Sequence, residues 1–447
     1  MNDKQPNATR IVRLSGLIAW SFVFLLPLFL GACHKTVQNP VTLTVLDPEW
    51  LRPDEMARRD RDMDQFTRET GVRIKYAPTP ESSISQLELW RKLLQSPDSS
   101  PDVIGIDVIW PSMLNDQLID LKPYFQSELA GMDPKLLANF TVGDKLVGIP
   151  YHTLIGVLAY RKDLLREYGF KKPPATWDEL ENMSVRIQHG ERAKGKSDFW
   201  GFVWQGANYE GLTCDALEWQ ESQGGGSIIE NDKTISVNNR AVVGAWERAR
   251  HWVGWISPPS VIAYRELDSN DVWESGRAAF FRTWLWQYRL RNPRESRIGL
   301  ETGYTSVPAG HAGRFGALGG TGISIARSSP HREEAVAFIR FLIRHDQQLA
   351  VAPDSQWLPE LTEAPAVLYP QSRSSTDSRS GAVLAARPSA VAGEKYEEVG
   401  KAYFEAVHSV LTGEKTAQTA AADVERQLVQ ITGFRTGPSP RAQDNSR

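Results

Sequence analysis

An acidic residue after an apolar run and an unusual number of large aromatic residues are the features of this sequence best suited to chemistry. Asp107 directly follows Val103–Ile106, where a carboxylate without partners would be costly. The chain also contains 15 Trp, 12 Tyr and 16 Phe. Carboxylates accept hydrogen bonds from hydroxyl groups, and aromatic faces cover the C–H side of a ring. These residues favour recognition of a polyhydroxyl ligand. The alternatives are a helix or loop cap for Asp107 and the protein core for most aromatic residues.

The segment GERAKGKS at residues 190–197 matches the pattern of a phosphate-binding loop letter for letter. Such a loop requires a hydrophobic strand before it and a helix after it. Residues 177–189 instead have helical spacing, and no clear helix begins after Ser197. We therefore interpret residues 190–197 as a charged surface loop and do not expect nucleotide binding.

Signatures of catalysis are weak in this sequence. A glycoside hydrolase needs two carboxyl groups about 5–10 Å apart, whereas Asp102 and Asp107 would lie about 16 Å apart on opposite faces of a strand. The sequence contains neither a Gly-x-Ser-x-Gly motif nor a His-Glu-x-x-His motif, which are typical of nucleophilic and zinc-dependent hydrolases. We expect no enzymatic activity, no metal site and no cofactor.

The stretch FVFLLPLFLGACHK, residues 22–35, is the most apolar part of the chain. Basic residues precede it, and small residues ending at Cys33 follow, which is the order of a secretory signal peptide. Pro27 interrupts a run that is shorter than the roughly 20 residues of a spanning helix. The LGAC sequence resembles the bacterial lipobox, in which the cysteine is acylated. We predict a signal peptide at 1–32 and a tether at 33–40. An uncleaved anchor helix is the alternative, and both place the remaining chain outside the cytoplasm on a membrane.

Composition limits the remaining classes. With Cys33 lipidated, Cys214 has no disulfide partner, so packing alone must stabilise the fold. The 447 residues, 41% of them hydrophobic, are enough for two or three domains. A formal net charge of −3 argues against nucleic acid, whose binding proteins carry basic surfaces.

Hydrophobic periodicity predicts an α/β fold. Alternating β-branched residues at 41–46 and 72–76 predict strands on either side of a helix at 54–69. The continuous apolar run that ends near Trp110 is typical of a buried parallel strand. We predict an extended segment at 146–160 that breaks at Pro150.

Two further local signals concern the ends of elements. Thr176 and Glu179 predict a capping box for a helix that starts at Trp177. Residues 437–447 are predicted to be a disordered tail.

Five motifs in order carry a resemblance to a known family. They are PDVIGIDVIW, YHTLIGVLAYRKDLLREYGFKKPPATWDEL, YEGLTCDALEW, VWESGRAAFFRTWLW and GGTGISIARSSPHREEAVAFIRFL. The chain resembles the family-1 extracellular solute-binding proteins of ABC sugar importers, and it is most similar to their trehalose/maltose-binding subgroup. The resemblance extends over about residues 41 to 430.

The resemblance implies a periplasmic-binding-protein-like fold of two α/β lobes, each a sheet flanked by helices, joined by hinge crossings. The N-terminal lobe would comprise residues 41–149 plus 308–345, and the C-terminal lobe 151–305 plus 347–431. A ligand would bind between the lobes, and closure would be a hinge motion.

The resemblance also implies the site residues. Glu49 matches a sugar-facing acid, Trp284 matches a tryptophan that lies on a sugar ring, and Gly319-Gly320 matches a turn whose backbone N–H groups approach the ligand. Tyr151 lies beside the first crossing, where plain hinge packing is its alternative role. We include Trp219 as a second stacking candidate, with the core as its alternative.

Three departures bear on the identity of the sugar. Thr321 stands where some relatives have Trp, and Thr153 stands where the trehalose/maltose group often has aspartate. Leu358-Pro359-Glu360-Leu361 lacks the arginine of a Pro-x-Arg segment. The resemblance therefore implies a sugar, without identifying it as trehalose or maltose.

The resemblance implies a monomeric, lipid-anchored binding protein in the periplasm or at the cell surface. It would capture an oligosaccharide, of disaccharide size, and deliver it to an ABC permease. The alternatives are a sugar-sensing binding lipoprotein and a secreted glycoside hydrolase.

Overall fold

The computed structural model of the protein describes residues 40–47, 53–80, 83–96, 100–132, 134–284, 298, 301–344 and 383–439. From Pro40 onward the chain forms one compact unit. The predicted signal peptide, Cys33 and Glu49 lie outside the described residues.

The strands are β1 (Thr42–Leu46), β2 (Arg73–Tyr76), β3 (Val103–Asp107), β4 (Thr141–Val142), β5 (Lys145–Leu146), β6 (Ile149–Arg161), β7 (Trp200–Val203), β8 (Ala278–Trp284), β9 (Thr302–Ser306), β10 (Phe315–Ile325) and β11 (Val383–Ala385). The α-helices are α1 (Pro53–Thr70), α2 (Ser83–Leu94), α3 (Pro111–Leu114), α4 (Gln126–Leu129), α5 (Pro134–Asn139), α6 (Lys162–Glu167), α7 (Trp177–Ala193), α8 (Glu210–Ser222), α9 (Arg240–Trp252), α10 (Glu266–Glu274), α11 (Arg332–Leu342), α12 (Ser389–Ala392), α13 (Tyr396–Leu411) and α14 (Ala417–Thr432).

The main sheet has the strand order β2-β1-β3-β10-β6-β8-β7, with β9 beside β6 and β11 beside β10. Strand β1 is parallel to both β2 and β3, which confirms the predicted β-α-β opening. Strand β10 is antiparallel to β3 and to β6. Helix α1 buries Phe66 against Phe338 and Phe341 of α11, with ring centroids 5.2 and 5.3 Å apart. The predicted α/β class is confirmed.

Strand β6 is shared between two groups of strands. Its residues 149–155 pair with β10, and its residues 156–161 pair with β8 and β9. One group contains β1, β2 and β3, and the other contains β7, β8 and β9. The partners of β6 change after Ile155, five residues beyond Pro150. This strand therefore connects the two groups.

Pro150 does not break the extended segment, so that prediction is wrong. It lies inside β6, opposite Gly322, and the register shifts between Thr321 and Gly322. Thr321 pairs with His152, so Tyr151 is the extra residue of a bulge. Proline has no N–H to donate, and a bulge is one of the few places in a sheet that tolerates it.

The start of α7 follows the predicted capping signal. Thr176 Oγ1 accepts from the backbone N–H of Glu179 at 3.2 Å, and the Glu179 carboxylate accepts from the N–H of Ala175 at 2.6 Å. Such reciprocal bonds satisfy backbone donors that a helix start leaves unpaired. The prediction of a helix from Trp177 is confirmed.

Only part of residues 190–197 forms the predicted charged surface loop, since residues 194–197 make an exposed turn and the residues before them are helical. Helix α7 continues to Ala193, and the Glu191 side chain is fully buried. Its carboxylate accepts from Lys194 at 2.7 Å and from Tyr168 Oη at 2.8 Å. These bonds and those to Lys196 lower the pKa of Glu191 to about 2, although burial opposes the shift. The first half of the segment that matches the phosphate-loop pattern therefore ends a helix, and the second half is the predicted surface turn.

The first residues of the predicted disordered tail, 437–439, pack against the fold, so that part of the prediction is wrong. The Gly437 N–H donates to the carbonyl of Ile235 at 3.1 Å, and Ser439 is fully buried. Residues 440–447 lie outside the described part. Across the described residues, no helix is both long and apolar enough to span a membrane.

Candidate functional site

Polar side chains collect at the carboxyl edge of the parallel strands. Asp47 follows β1, Tyr76 ends β2 and Asp107 ends β3. Because the carboxyl ends of parallel strands share one edge of a sheet, this is the usual place for a ligand in an open α/β sheet. Asp107 is confirmed at the strand end that its sequence position predicts.

Strand β10 brings a further residue to this edge. Thr321 lies opposite Asp107 in the β3 register and opposite His152 in the β6 register. A small cavity of about 10 Å³ is lined by Asp47, Tyr151 and Thr321, with Tyr76 among the other residues around it. That volume holds about one water molecule. Two of the sequence candidates, Tyr151 and Thr321, thus meet at one cavity.

Asp47 has a strongly perturbed carboxyl group. Burial raises its pKa from 3.8 to about 7, and the nearby guanidinium of Arg59 opposes the shift. That guanidinium also lies 4.1 Å above the ring of Tyr76. Perturbed carboxyl groups that line cavities are frequent at functional sites.

Arg387 joins β3, β10 and the start of α8. Its guanidinium donates to Glu210 Oε1 at 3.0 Å and to the carbonyl of Leu318 at 3.3 Å, and it lies 3.5 Å from Asp107 Oδ1. Tyr396 Oη donates to Glu210 at 2.5 Å. Asp107 ends β3 and Glu210 begins α8, so one arginine contacts both a strand of the first group and a helix.

Burial disfavours the charged forms of the two carboxyl groups that contact Arg387. It raises the pKa of Asp107 and of Glu210, and the positive charge of Arg387 opposes both shifts. Asp107 Oδ1 also accepts from the Ile109 N–H at 3.1 Å, which is the loop-cap role that we kept as its alternative. Asp107 therefore caps its own turn and faces Arg387 as well.

The Gly319-Gly320 pair does not form a turn, so that prediction is wrong. Both residues lie inside β10, opposite Leu154 and Thr153 of β6. Gly320 has φ +114°, and a Cβ there would overlap the carbonyl oxygen of His152. The absence of side chains allows β10 and β6 to approach, since an L-residue disfavours this backbone region.

Trp284 ends β8 and is 8% exposed. It packs with Cys214 and Ala317, and the guanidinium carbon of Arg282 lies 4.3 Å from its ring centroid. A Cβ on Gly319 would come within 2.9 Å of the indole, so glycine makes room for the ring.

A family model described as bacterial extracellular solute-binding protein matches residues 53–349, more than half of the chain. The chain belongs to this family. The family and the fold are those of transport binding proteins rather than enzymes, and they place the protein outside the cytoplasm.

Relatives of this solute-binding protein cover most of its length. A probable ABC transporter-binding protein of Deinococcus radiodurans is 38% identical over 381 residues, which is 83% of this chain and 89% of the relative. The structure of maltose-bound MalE3 of T. maritima has a TM-score of 0.77 at 30% identity and covers 88% of this chain and 100% of its own. The GacH receptor of Streptomyces glaucescens, solved unliganded and with acarbose, has a TM-score of 0.75 at 19% identity, covering 89% and 100%. At that identity the last likeness shows the fold alone.

Trp219 lies in the core of the binding protein and not at the carboxyl edge. It is 2% exposed and meets Trp204 and Trp252 edge to face, with ring centroids 5.0 and 5.6 Å apart. Such contacts stabilise packed cores. With only 2% of its surface exposed, Trp219 has no face open to a ligand in this structure, which contradicts a stacking role and supports the core alternative.

Asp102, the carboxylate weighed for hydrolysis, has a structural role. Its oxygens accept from the Thr44 N–H at 2.8 Å and from Ser329 Oγ at 2.6 Å. Within the described ranges, no group of His, Cys, Asp and Glu side chains is arranged to hold a metal ion.

Sequence reasoning missed Asp47, Glu210 and Arg387. Asp47 carries the same signal as Asp107, an acid directly after a strand. Arg387 lies in a loop after β11, whereas the Pro-x-Arg comparison concerns residues 358–361, which lie outside the described residues. No local signal links Arg387 to Asp107, which precedes it by 280 positions.

Proposed function

We propose that the protein is the sugar-binding component of an ABC importer. It is held outside the cytoplasm by lipidated Cys33 and acts as a monomer. It captures a neutral oligosaccharide of disaccharide size and delivers it to a permease. This role requires no cofactor and no catalytic step.

The convergence of Asp107, Arg387, Tyr151 and Thr321 beside β6 and β10 carries this proposal. A carboxylate, a guanidinium and two hydroxyl groups supply both donors and acceptors, which is what a sugar with several hydroxyl groups requires. Their position at the strands shared by both groups supports a site between lobes. Glu49 stays part of the proposed site, as does the backbone of Gly319 and Gly320 along β10.

Hinge closure accounts for the size of the cavity. About 10 Å³ is too small for a sugar ring, so the strand groups must separate before ligand enters. Opening would pull Arg387 away from either Asp107 or Glu210, and hydroxyl groups of the sugar would take the vacated hydrogen bonds. We keep the lobe limits 41–149 plus 308–345 and 151–305 plus 347–431 as part of the proposal.

Trp284 is the proposed stacking residue. It lies across β6 from the β10 glycines, and its indole retains a small exposed fraction. A tryptophan at a closing cleft covers the apolar face of a pyranose ring. The bound maltose in the 30% identical MalE3 structure supports a glucose disaccharide as the first ligand to test.

A thermal-shift screen tests the proposal. A protein comprising residues 36–447 is mixed with maltose, trehalose, larger maltodextrins, polyols, amino acids and phosphodiesters. A ligand that binds only the folded state stabilises it and so raises the melting temperature. At a ligand concentration of 100 times the Kd, the stabilisation is about 2.7 kcal/mol. A shift with one or more sugars is expected. A shift with amino acids or phosphodiesters alone would contradict the sugar class, and sugar cleavage would contradict the transport role.

The variant Trp284→Ala tests the stacking assignment. It should abolish the sugar-induced shift and lower the unliganded melting temperature by less than Trp219→Ala does. Trp219→Ala is the matched control, since removal of a core aromatic typically costs about 3–5 kcal/mol. If Trp284→Ala destabilises the unliganded protein as severely as the control, its indole belongs to the core.

A further inference from the structure

Behind Trp284 lies a buried ionic cluster that sugar binding does not by itself explain. Arg282 is 1% exposed and pairs with Asp215 at 2.6 Å and with Glu218 at 2.7 Å. It also donates to Gln205 Oε1 at 3.2 Å. Asp215 and Glu218 are fully buried on α8.

The cluster presents its cation to the indole. Arg282 and Trp284 are two residues apart on β8, so their side chains share one face of the sheet. The guanidinium carbon lies 4.3 Å from the ring centroid, within the range of a cation–π contact. One face of the indole is therefore occupied by a group that is itself fixed by two carboxylates.

Glu218 extends the cluster to the strands that join the two groups. Its Oε1 accepts from the Ala317 N–H of β10 at 2.9 Å. On β6, a Cβ at Gly156 would overlap the same carboxylate oxygen. One carboxylate thus contacts the arginine behind Trp284 and approaches both shared strands.

Burying the charges of Arg282, Asp215 and Glu218 carries a desolvation penalty that apolar side chains would not have. Apolar residues of similar volume are often as stabilising as a buried ion pair, or more so, whereas the ion pair is sensitive to geometry. A planar guanidinium held by several hydrogen bonds has a defined orientation, which an apolar side chain would not impose on a neighbouring ring.

We propose that Arg282 is a positioning residue that fixes the plane of the Trp284 indole, and that Glu218 links this plane to β10. The use of a fixed indole rests on the proposed function, since a residue that stacks on a sugar ring must keep one orientation as the lobes close. The positioning itself concerns only residues of this chain and is testable without ligand.

Fluorine NMR of the 36–447 protein labelled with 5-fluorotryptophan tests the positioning. The Trp284 signal is assigned by its loss in Trp284→Phe. In the parent protein we expect one narrow Trp284 resonance. In Arg282→Lys, and in the charge-neutral triple variant Arg282→Met, Asp215→Asn, Glu218→Gln, this resonance should broaden or split while the signals of Trp204 and Trp252 stay narrow.

Glu191→Gln is the matched control, because it weakens another buried carboxylate cluster that lies on α7. It should lower the melting temperature and leave the Trp284 resonance unchanged. The triple variant guards against failure of the single substitution to fold, since no buried charge is left unpaired. A single narrow Trp284 resonance in both Arg282 variants would overturn the inference, whatever the sugar screen shows.

Sugar affinity provides the second readout. With the sugar that the screen identifies, the charge-neutral triple variant should raise Kd about tenfold, because it removes the desolvated cation behind the indole. Unchanged affinity would overturn the link between positioning and binding. Absence of any sugar response in the parent protein would refute the proposed function and leave the NMR result to decide the positioning.

Discussion

Individual charged residues at this site have values of pKa that are set by burial. The pKa is raised for Asp47, Asp107 and Glu210, with burial the largest cause in each. A guanidinium opposes each shift, that of Arg59 for Asp47 and that of Arg387 for the other two. Ionisation of these carboxyl groups therefore destabilises the folded protein, an effect that the pH dependence of the unfolding free energy measures.

Asp47→Asn should change the pH dependence of stability. The folded-state pKa of Asp47, about 7, exceeds the unfolded value near 3.8, so the folded protein binds the extra proton. This contribution is fully present below pH 4 and is lost as pH rises through 7. At 1.36 kcal/mol per unit, the wild type should lose about 2–4 kcal/mol relative to Asp47→Asn between pH 4 and pH 8. Urea unfolding at both values measures the difference, and parallel curves for the two proteins would contradict it.

At the scale of elements, β6 and β10 decide the geometry of the site. The bulge at Tyr151 and the glycines of β10 both lie where these strands pair. The bulge turns Tyr151 toward the cavity that Thr321 also lines, and Gly319 makes room for Trp284. The close approach of β6 and β10 thus positions three proposed ligand contacts, which are Tyr151, Thr321 and Trp284.

Gly320→Ala should strongly destabilise the protein. The substitution forces an L-residue to φ +114° and drives its Cβ into the His152 carbonyl, so we expect a loss of about 3 kcal/mol or more. Gly244→Ala is the control, because this exposed glycine in α9 has open space around it and alanine favours helices by about 0.5–1 kcal/mol. Urea unfolding compares the two. Equal effects would show that β10 and β6 do not approach as described.

At the scale of the whole molecule, the two groups of strands and the C-terminal helices form one compact unit. Arg387 comes from the segment between β11 and α12, and it contacts Asp107 at the end of β3 and Glu210 at the start of α8. If Cys33 carries the proposed anchor, the attachment of the whole protein to a membrane depends on that one thiol.

Lipidation of Cys33 is tested by labelling cells that produce the full chain with an alkyne fatty acid. The parent protein should carry the label, and its mass should equal that of a lipidated chain that starts at Cys33. Cys33→Ser should lose the label, because a hydroxyl does not take the thioether-linked lipid. Cys214→Ser should keep it, since the Cys214 thiol is buried and burial raises its pKa to about 12. A label retained in Cys33→Ser would refute the anchor.

The sequence by itself determined the features that depend on local pattern. Alternation and apolar runs identify β1, β2 and β3, because strand residues alternate between faces or are buried on both. The Thr176 cap is equally local, since it needs only a hydroxyl and a carboxylate three residues apart. The position of Asp107 follows from the run before it. The same local rule would have found Asp47.

Only the tertiary structure decided which residues meet. The pairing of β6 with β10 converts a predicted turn at Gly319-Gly320 into strand and makes Pro150 part of a bulge, since neighbouring strands override local preferences. Trp219 and Trp284 look alike in sequence, but one packs among aromatic rings and the other beside a buried arginine. Arg387 reaches Asp107 across 280 positions. Such contacts arise from packing between distant segments, which no local pattern encodes.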